Sequence, residues 1–280
     1  MKNSSIKFRI SLLTTGLIML IAASQNFAQV TYSTEKEIKK DVSEVPCRNK
    51  NRLEGVRKLF EQKGAKPTDI KIDDYKHVRN LVVEKPGKSK ETVIVGAHYD
   101  EAGGGCGAID NWTGIVVIAH LYKTMKNLNT NKTYKFVAFG QEELGLIGSK
   151  AMAGKISKEN RPNYCAMVNL DSFGMTYPQG MRNISDKSLL RLAKKTAKAM
   201  KMPFGIAAIR GASSDSDSFR NKKIPSISIH GLNGRWKNYL HSPNDKVSNV
   251  NSTSVYYGYR FTLNFLANIE SKSCDAFRKK

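Results

Sequence analysis

Short apolar segments alternate with helical ones along most of this chain, and this alternation restricts its possible folds more than any other feature. Four segments have the apolar, β-branched composition of buried strands and cover residues 91–97, 133–140, 164–171 and 224–230. Helical patterns lie between or after them, at about residues 113–126, 144–155, 187–201 and 252–269. Strands separated by helices predict an α/β protein with three layers, α/β/α, around a mostly parallel central sheet.

The first 28 residues have the three-part pattern of a secretory signal peptide. Lys2, Lys7 and Arg9 precede an apolar run over residues 10–23, and small residues follow up to Ala28. The run is shorter than the roughly 20 apolar residues that span a bilayer, although an uncleaved anchor is the alternative interpretation. We expect a signal peptide at residues 1–28, and a secreted or periplasmic protein with no stable membrane insertion after cleavage.

The remainder, residues 29–280, is predicted to form a single domain. No repeat, proline-rich linker or low-complexity tract divides it, and its length is sufficient for a sizeable core. Apolar residues make up 40% of the chain and charged residues 25%, which excludes a disordered, collagen-like or multi-span membrane protein. The oligomeric state stays open.

The net charge of +22 arises from 46 basic and 24 acidic residues. The lysines are scattered over helices and loops and are not clustered with aromatic residues, as a nucleic-acid site would require. We therefore expect no nucleic-acid partner. The charge is interpreted as a solvated surface that could favour acidic peptides or an anionic cell surface.

The four cysteines of the exported chain predict at least one disulfide bond, because the expected compartment is oxidising. They allow three pairings, among which the sequence does not choose. Because chain ends often lie close together, a Cys47–Cys274 pair is favoured weakly. A thiolate metal site is the rival interpretation, but no Cys-x-x-Cys spacing supports it.

Acidic and imidazole side chains stand at or just after the predicted strands. They are His98, Asp110, Glu142, Glu143, Asp171 and His241. The carboxyl ends of parallel strands meet at one edge of the sheet, where mixed nitrogen and oxygen ligands would suit zinc. One carboxylate could bridge two ions, and of the adjacent glutamates one could bind metal while the other takes a proton from water. Taken singly, each residue could instead be structural, for example Asp110 as a helix cap.

Six segments containing these residues resemble, in order, the motifs of the co-catalytic dizinc aminopeptidases, the family of bacterial leucyl aminopeptidases and aminopeptidase S. The segments read GAHYD, GAIDNWTG, FGQEELGLIGS, NLDSFG, SSDSDSF followed by IPSISI, and YLHSPNDKV. The resemblance covers about residues 80–250 and implies a zinc exopeptidase-like fold, with residues 29–280 as one zinc-peptidase catalytic domain. It also implies two zinc ions and a secreted metalloprotease acting on peptides with a free N-terminus.

The resemblance assigns the metal ligands residue by residue. Asp110 would bridge the two zinc ions. His98 and Asp171 would bind one of them, and Glu143 and His241 would bind the other.

It also implies roles for residues that bind no metal. Glu142 would be the general base and later the acid that protonates the leaving amine. Asp100 would orient the imidazole of His98. The substrate amine would lie against Asp171 and Glu142. Tyr239 and Arg210 could donate hydrogen bonds to the oxyanion, although packing or surface positions are the simpler interpretation.

The sequence departs from the family pattern at a few positions. Residues 214–219 read SDSDSF where several relatives have a His-Tyr-Pro-like run, His230 stands where an apolar residue is common, and Trp236 closely precedes His241. These positions are expected to line or support the substrate pocket. His77 and His120 match no motif. We expect a surface position for His77 and a helical one for His120.

Two competing functions share this scaffold. Glutaminyl cyclases have most of the same ligands, but they tend to have a longer segment between the histidine and the bridging aspartate, and a serine after that aspartate. Here twelve positions separate His98 from Asp110, and Asn111 follows, which favours a peptidase. Non-catalytic binding domains of this fold usually lose ligands or the base, whereas this chain has all of them.

Overall fold

The computed structural model describes residues 30–278 of the chain. The predicted signal peptide lies outside these residues and stays a prediction. The described part contains an eight-stranded sheet. Its strands are β1 (Ile70–Asp74), β2 (Arg79–Lys85), β3 (Thr92–His98), β4 (Thr133–Phe139), β5 (Tyr164–Leu170), β6 (Gln179–Met181), β7 (Gly205–Ala207) and β8 (Ser226–His230).

The centre of the sheet is parallel, as predicted. The strand order is β1-β2-β4-β3-β5-β8-β6-β7, and the four central strands β4, β3, β5 and β8 are parallel to one another. These are the four predicted strands, each within two residues of its expected bounds. The strands that the patterns missed lie on the two sides of this parallel centre, where β2 and β6 pair antiparallel to it.

Helices cover both faces of the sheet. They are α1 (Glu35–Ser43), α2 (Asn49–Gln62), α3 (Thr113–Met125), α4 (Ile147–Lys155), α5 (Lys187–Ala199), α6 (Asp215–Arg220) and α7 (Ser252–Glu270). On β3, Val93 and Val95 belong to one apolar cluster with α1, α2, α3, α5 and α7, while Ile94 belongs to a second cluster with α4 and α6. This alternation along a strand gives the three-layer fold that the sequence predicts.

Two predicted elements differ in their bounds for local reasons. The fourth helix begins at Ile147 and not at residue 144, because Gly145 and Leu146 have left-handed φ angles of 102° and 61°. Strand β8 begins after Pro225, which has no N–H to contribute to a sheet.

His120 lies on α3, as predicted, and joins the N-terminal segment to the core. It is fully buried, with Nδ1 2.7 Å from Ser33 Oγ and Nε2 2.7 Å from Asp41 Oδ2. Lys63 at the end of α2 contacts the same carboxylate. His77 is exposed, also as predicted.

The expected pairing of Cys47 with Cys274 is wrong. The disulfides join Cys47 to Cys106 and Cys165 to Cys274. Cys106 follows β3, whereas Cys165 lies at the start of β5, and these two strands are parallel. The two disulfides therefore lie at opposite edges of the sheet, separated by about 20 Å of strand.

Among residues 30–278, no helix is both long and apolar enough to cross a membrane.

Candidate metal centre

The parallel strands deliver the predicted site residues to a single edge of the sheet. His98 is the last residue of β3, Asp171 follows β5, and the pair Glu142 and Glu143 begins three residues after β4. Asp110 lies in the turn before α3, and His241 lies in the loop after β8. The structure thus brings together all six residues that the strand-end argument selected.

Three non-glycine residues with left-handed backbone angles turn the chain at this edge. Gln141 before the glutamates has φ 55°, Ser172 after Asp171 has φ 61°, and His241 itself has φ 56°. Such angles are costly for residues with a side chain, and they persist where the surrounding structure holds them, commonly at functional sites.

Asp110 lies between the two imidazoles. Its Oδ1 is 3.1 Å from Nε2 of His98, and its Oδ2 is 3.3 Å from Nε2 of His241. Asp110 and His98 are buried, whereas the His241 side chain is 58% exposed. One carboxylate thus faces two separate nitrogen donors, as a bridging ligand must.

Two groups of possible metal ligands share Asp110. The first contains His98, Asp110 and Asp171, and the second contains Asp110, Glu143 and His241, with the donor atoms of each group within 4.8 Å of one another. His241 Nε2 lies 3.1 Å from Glu143 Oε2, and His98 Nε2 lies 3.7 Å from Asp171 Oδ1. His98 also forms a group of possible ligands with Glu142 and Glu143.

A further group, of Glu91, Cys165 and Cys274, lies at the opposite edge of the sheet. Its two cysteines form a disulfide, so neither sulfur is available as a thiolate ligand.

The electrostatics of the centre fit a divalent cation. Burial and the negative charge of neighbouring aspartates raise the pKa of Glu142 to about 10, and burial and Asp110 raise the pKa of Glu143 to about 7. Glu143 Oε1 is buried and has no hydrogen-bond partner in the described chain. The centre therefore crowds buried carboxyl groups whose ionised form a bound cation would favour, together with a carboxylate oxygen that has no partner among residues 30–278. Its two imidazoles and carboxylates form a nitrogen and oxygen donor set that suits zinc.

Asp100 supports the site through main-chain groups. Its carboxylate accepts the N–H of Glu142 at 3.0 Å and of Glu143 at 3.1 Å. Nδ1 of His98 is 3.1 Å from the main-chain oxygen of Asp100 and 3.6 Å from its carboxylate. This geometry is compatible with the prediction that Asp100 orients the imidazole of His98. Asp100 also fixes the main chain of both glutamates.

The sequence predicts no specific contacts for two further supports, although both lie within the quoted motifs. Asp245 in YLHSPNDKV accepts the main-chain N–H of Ile109 at 2.6 Å and of Asp110 at 3.1 Å. Ser214 in the SSDSDSF segment donates its hydroxyl to Asp171 Oδ2 at 2.5 Å. The motifs therefore contain the supporting side chains, but only the tertiary structure shows which ligand each one contacts.

Asn111, which separated the peptidase and cyclase interpretations, is fully buried among main-chain groups. Its Oδ1 accepts the N–H of Gly114 and of Ser172, both at 3.0 Å, and its Nδ2 donates to the oxygen of Leu170 at 2.9 Å. The side chain therefore ties the end of β5 to the start of α3.

The other pocket candidates are not brought into the centre by direct contacts. Arg210 is exposed and Tyr239 is half-buried, and within residues 30–278 neither side chain hydrogen-bonds to a site residue. His230 is buried, its Nδ1 accepts the N–H of Leu232, and burial lowers its pKa to about 4. Trp236 is half-buried.

Comparisons with known proteins find relatives in sequence and in structure. The profile of Peptidase family M28 matches residues 80–264. A probable leucine aminopeptidase of Arthroderma otae is 28% identical over 240 residues, which cover 78% of this chain and 64% of that protein. The chain thus spans less than two thirds of that relative's length.

Solved structures share the fold. A zinc aminopeptidase from Bacillus subtilis superposes with a TM-score of 0.62 at 20% identity, covering 72% of this chain and 53% of that one. A glutaminyl cyclase from an Acidobacteriales bacterium superposes with a TM-score of 0.72 at 15% identity, covering 87% of this chain and 97% of that one. The three-layer fold is therefore common to aminopeptidases and cyclases.

Proposed function

Because the chain belongs to peptidase family M28, we propose that it is a secreted aminopeptidase that uses two zinc ions to hydrolyse N-terminal residues from peptides. The observation that carries this proposal is the position of Asp110, which is shared by two groups of possible ligands. When bound, a pair of zinc ions would polarise the scissile carbonyl and lower the pKa of a water molecule.

The proposed ligand sets follow the two groups. His98 and Asp171 would hold one ion, Glu143 and His241 would hold the other, and Asp110 would contribute to both sites. The distances of 3.1 and 3.3 Å from the Asp110 oxygens to the two imidazoles support a bridging role.

Glu142 is the proposed general base. It belongs to neither of the two groups that share Asp110, and Asp100 holds its main-chain N–H. Burial and the surrounding carboxylates raise its pKa, and a bound divalent cation would act in the opposite direction, so that the carboxylate could take a proton and return it to the leaving amine. The neighbouring Glu143 faces His241, so adjacent residues can have different roles.

The free N-terminus of the substrate is the proposed recognition element. Asp171 lies close enough to Glu142 to raise its pKa, and a substrate ammonium group beside the two carboxyl groups would favour the ionised form of both. A peptide with a blocked N-terminus would lack this charge, so we expect exopeptidase and not endopeptidase action.

Secretion is proposed from the N-terminal signal pattern. The two disulfides among the described residues support it, because disulfides persist mainly in oxidising compartments.

A glutaminyl cyclase is the second candidate function, because a solved cyclase shares the fold of this chain with a TM-score of 0.72. The short spacing between His98 and Asp110 argues against it. Asn111 is a weaker discriminator than the sequence suggested, because its amide is fully used by main-chain groups. A binding domain without activity is disfavoured, since all six site residues converge.

Mass spectrometry of a peptide mixture tests the proposal directly. The mature protein is incubated with zinc and with free-amine, N-acetylated and N-terminal-glutamine peptides. Stepwise loss of N-terminal residues from free-amine peptides only, abolished by a chelator and by Glu142→Gln, is the expected result. Loss of ammonia from the glutamine peptides alone would identify a cyclase. No change in any peptide, with zinc bound, would overturn the enzyme proposal.

A further inference from the structure

The segment between His98 and Asp110 contains four glycines and has little structure of its own. Residues 101–107 read EAGGGCG, and Gly103, Gly104 and Gly107 have left-handed φ angles of 89°, 83° and 55°. Glycine-rich chain has a high conformational entropy when free. Because this segment leads to the shared ligand Asp110, contacts from other parts of the fold must restrict its conformation if Asp110 is to keep one position.

Three residues at the start of α2 provide this hold, and we call them the α2 clamp: Cys47, Asn49 and Arg52. Cys47 is bonded to Cys106. Asn49 accepts the main-chain N–H of Glu101 at 2.9 Å and donates to its main-chain oxygen at 2.9 Å. The α2 clamp thus contacts the glycine-rich segment near both of its ends, at Glu101 and at Cys106.

Arg52 is the buried part of the clamp. Its side chain is 0% exposed and donates to the main-chain oxygens of Cys106 at 3.0 Å and Gly107 at 2.9 Å. Burial lowers its pKa to about 10, while Glu101 and three aspartates act in the opposite direction, so the guanidinium is charged at neutral pH. A buried cation is costly unless its surroundings compensate it, and here it lies beside the acidic ligand edge.

The clamped residues connect directly to the support of Asp110. Cys106 donates its N–H to the main-chain oxygen of Asp245 at 2.7 Å. The carboxylate of Asp245 in turn accepts the N–H of Asp110. Gly107, held by Arg52, also accepts the N–H of Trp112 at 3.1 Å, so the turn containing Asp110 is held on both sides.

We propose that the α2 clamp positions Asp110 for metal binding, so that zinc retention depends on Arg52 and on an intact Cys47–Cys106 disulfide. Cys47, Asn49 and Arg52 are positioning residues and touch neither substrate nor metal. The inference rests on the proposed function in one respect, since it takes Asp110 as the shared zinc ligand.

Zinc affinity measured by chelator competition tests the clamp. The variants are Arg52→Met, Arg52→Lys, Asn49→Ala and the double variant Cys47→Ser/Cys106→Ser. We expect the zinc dissociation constant to rise about 10- to 100-fold in Arg52→Met and in the double cysteine variant, as for other groups that orient ligands. Arg52→Lys keeps the charge but not the fork that holds two carbonyls, so it should lie between Arg52→Met and wild type.

Two controls separate positioning from loss of stability. Arg57→Met removes an arginine of the same helix whose ion pairs, within residues 30–278, are with Glu54 and Glu61. Cys165→Ser/Cys274→Ser removes the disulfide at the opposite edge of the sheet. Both should keep the zinc dissociation constant within about twofold of wild type, even where the melting temperature falls.

The outcomes distinguish the clamp from the proposed function. Clamp variants that match wild type in zinc affinity would overturn the clamp alone. A rise of equal size in the two controls would also overturn it. A wild-type protein that binds no zinc would overturn the proposed function and the clamp with it. If the buried Arg52→Met variant does not fold, the exposed Asn49→Ala variant decides, with an expected rise of at least about threefold.

Discussion

Asp245 holds Asp110 across 135 positions of sequence, with its Oδ2 accepting the main-chain N–H of Asp110 at 3.1 Å. Its Oδ1 accepts the neighbouring N–H of Ile109 at 2.6 Å. His241 lies in the same loop as Asp245, and its Nε2 is 3.3 Å from the Asp110 carboxylate. A single loop therefore supplies both a proposed ligand and the anchor of the carboxylate that the two ligand groups share.

Asp245→Asn should weaken zinc binding. Asparagine has one acceptor oxygen, so it can accept only one of the two main-chain N–H groups, those of Ile109 and Asp110. Its NH2 group would face the other N–H, and two donors cannot form a hydrogen bond. We expect the zinc dissociation constant to rise about 10- to 100-fold in chelator competition. The same substitution at the exposed Asp275 is the control. An unchanged affinity in Asp245→Asn would contradict the anchoring role.

Changing Glu142 or Glu143 to glutamine should have different effects on kcat and on zinc content. Glu142→Gln should lower kcat by about 10²- to 10⁴-fold and leave the zinc content at two ions per chain, because it removes the base but no ligand. Glu143→Gln should lower the zinc content towards one. Metal analysis of the dialysed proteins, alongside peptide hydrolysis, measures both effects. Loss of zinc in Glu142→Gln would instead make that residue a ligand.

Asn111→Ser should destabilise the fold without producing a cyclase. Serine is too short to replace all three main-chain hydrogen bonds, and each buried group left unpaired costs about 1–3 kcal/mol. Chemical denaturation measures the loss, with Asn264→Ser on the exposed face of α7 as the control. Ammonia release from N-terminal-glutamine peptides by the variant would show that this position selects the reaction after all.

The buried His120 should make stability depend on pH. Burial lowers its pKa below 6.5, so below pH 6.5 the unfolded chain binds a proton more readily than the folded one. The stability associated with the neutral imidazole is therefore lost as pH falls below 6.5, at up to about 1.4 kcal/mol per pH unit. Asp41, whose pKa is also lowered, loses its contribution only at pH values below about 4.

The test compares unfolding free energies at pH 7 and pH 5 for wild type and His120→Gln. The wild-type advantage should shrink at pH 5, because glutamine does not titrate. His77→Gln at an exposed site should show no such change. Parallel pH profiles for wild type and His120→Gln would exclude His120 as the titrating group.

The predicted strands were those with a mainly apolar sequence. Strands β3, β4, β5 and β8 are largely buried and read as strands without reference to any partner. Strand β1 has exposed positions, and β6 and β7 have three residues each. Such strands are stabilised by pairing with neighbours, so their own sequences carry little signal.

Local patterns of residues were sufficient to predict the layered fold and the six residues that meet at the ligand edge, because buried strands and the residues that follow them can be recognised without their neighbours. The tertiary structure alone decided which cysteines pair, that Asp245 anchors Asp110, and that Arg52 is buried beneath the glycine-rich segment. These contacts join residues between 54 and 135 positions apart. Such contacts depend on strand order and on how helices cross the sheet, and no local pattern of residues encodes that geometry.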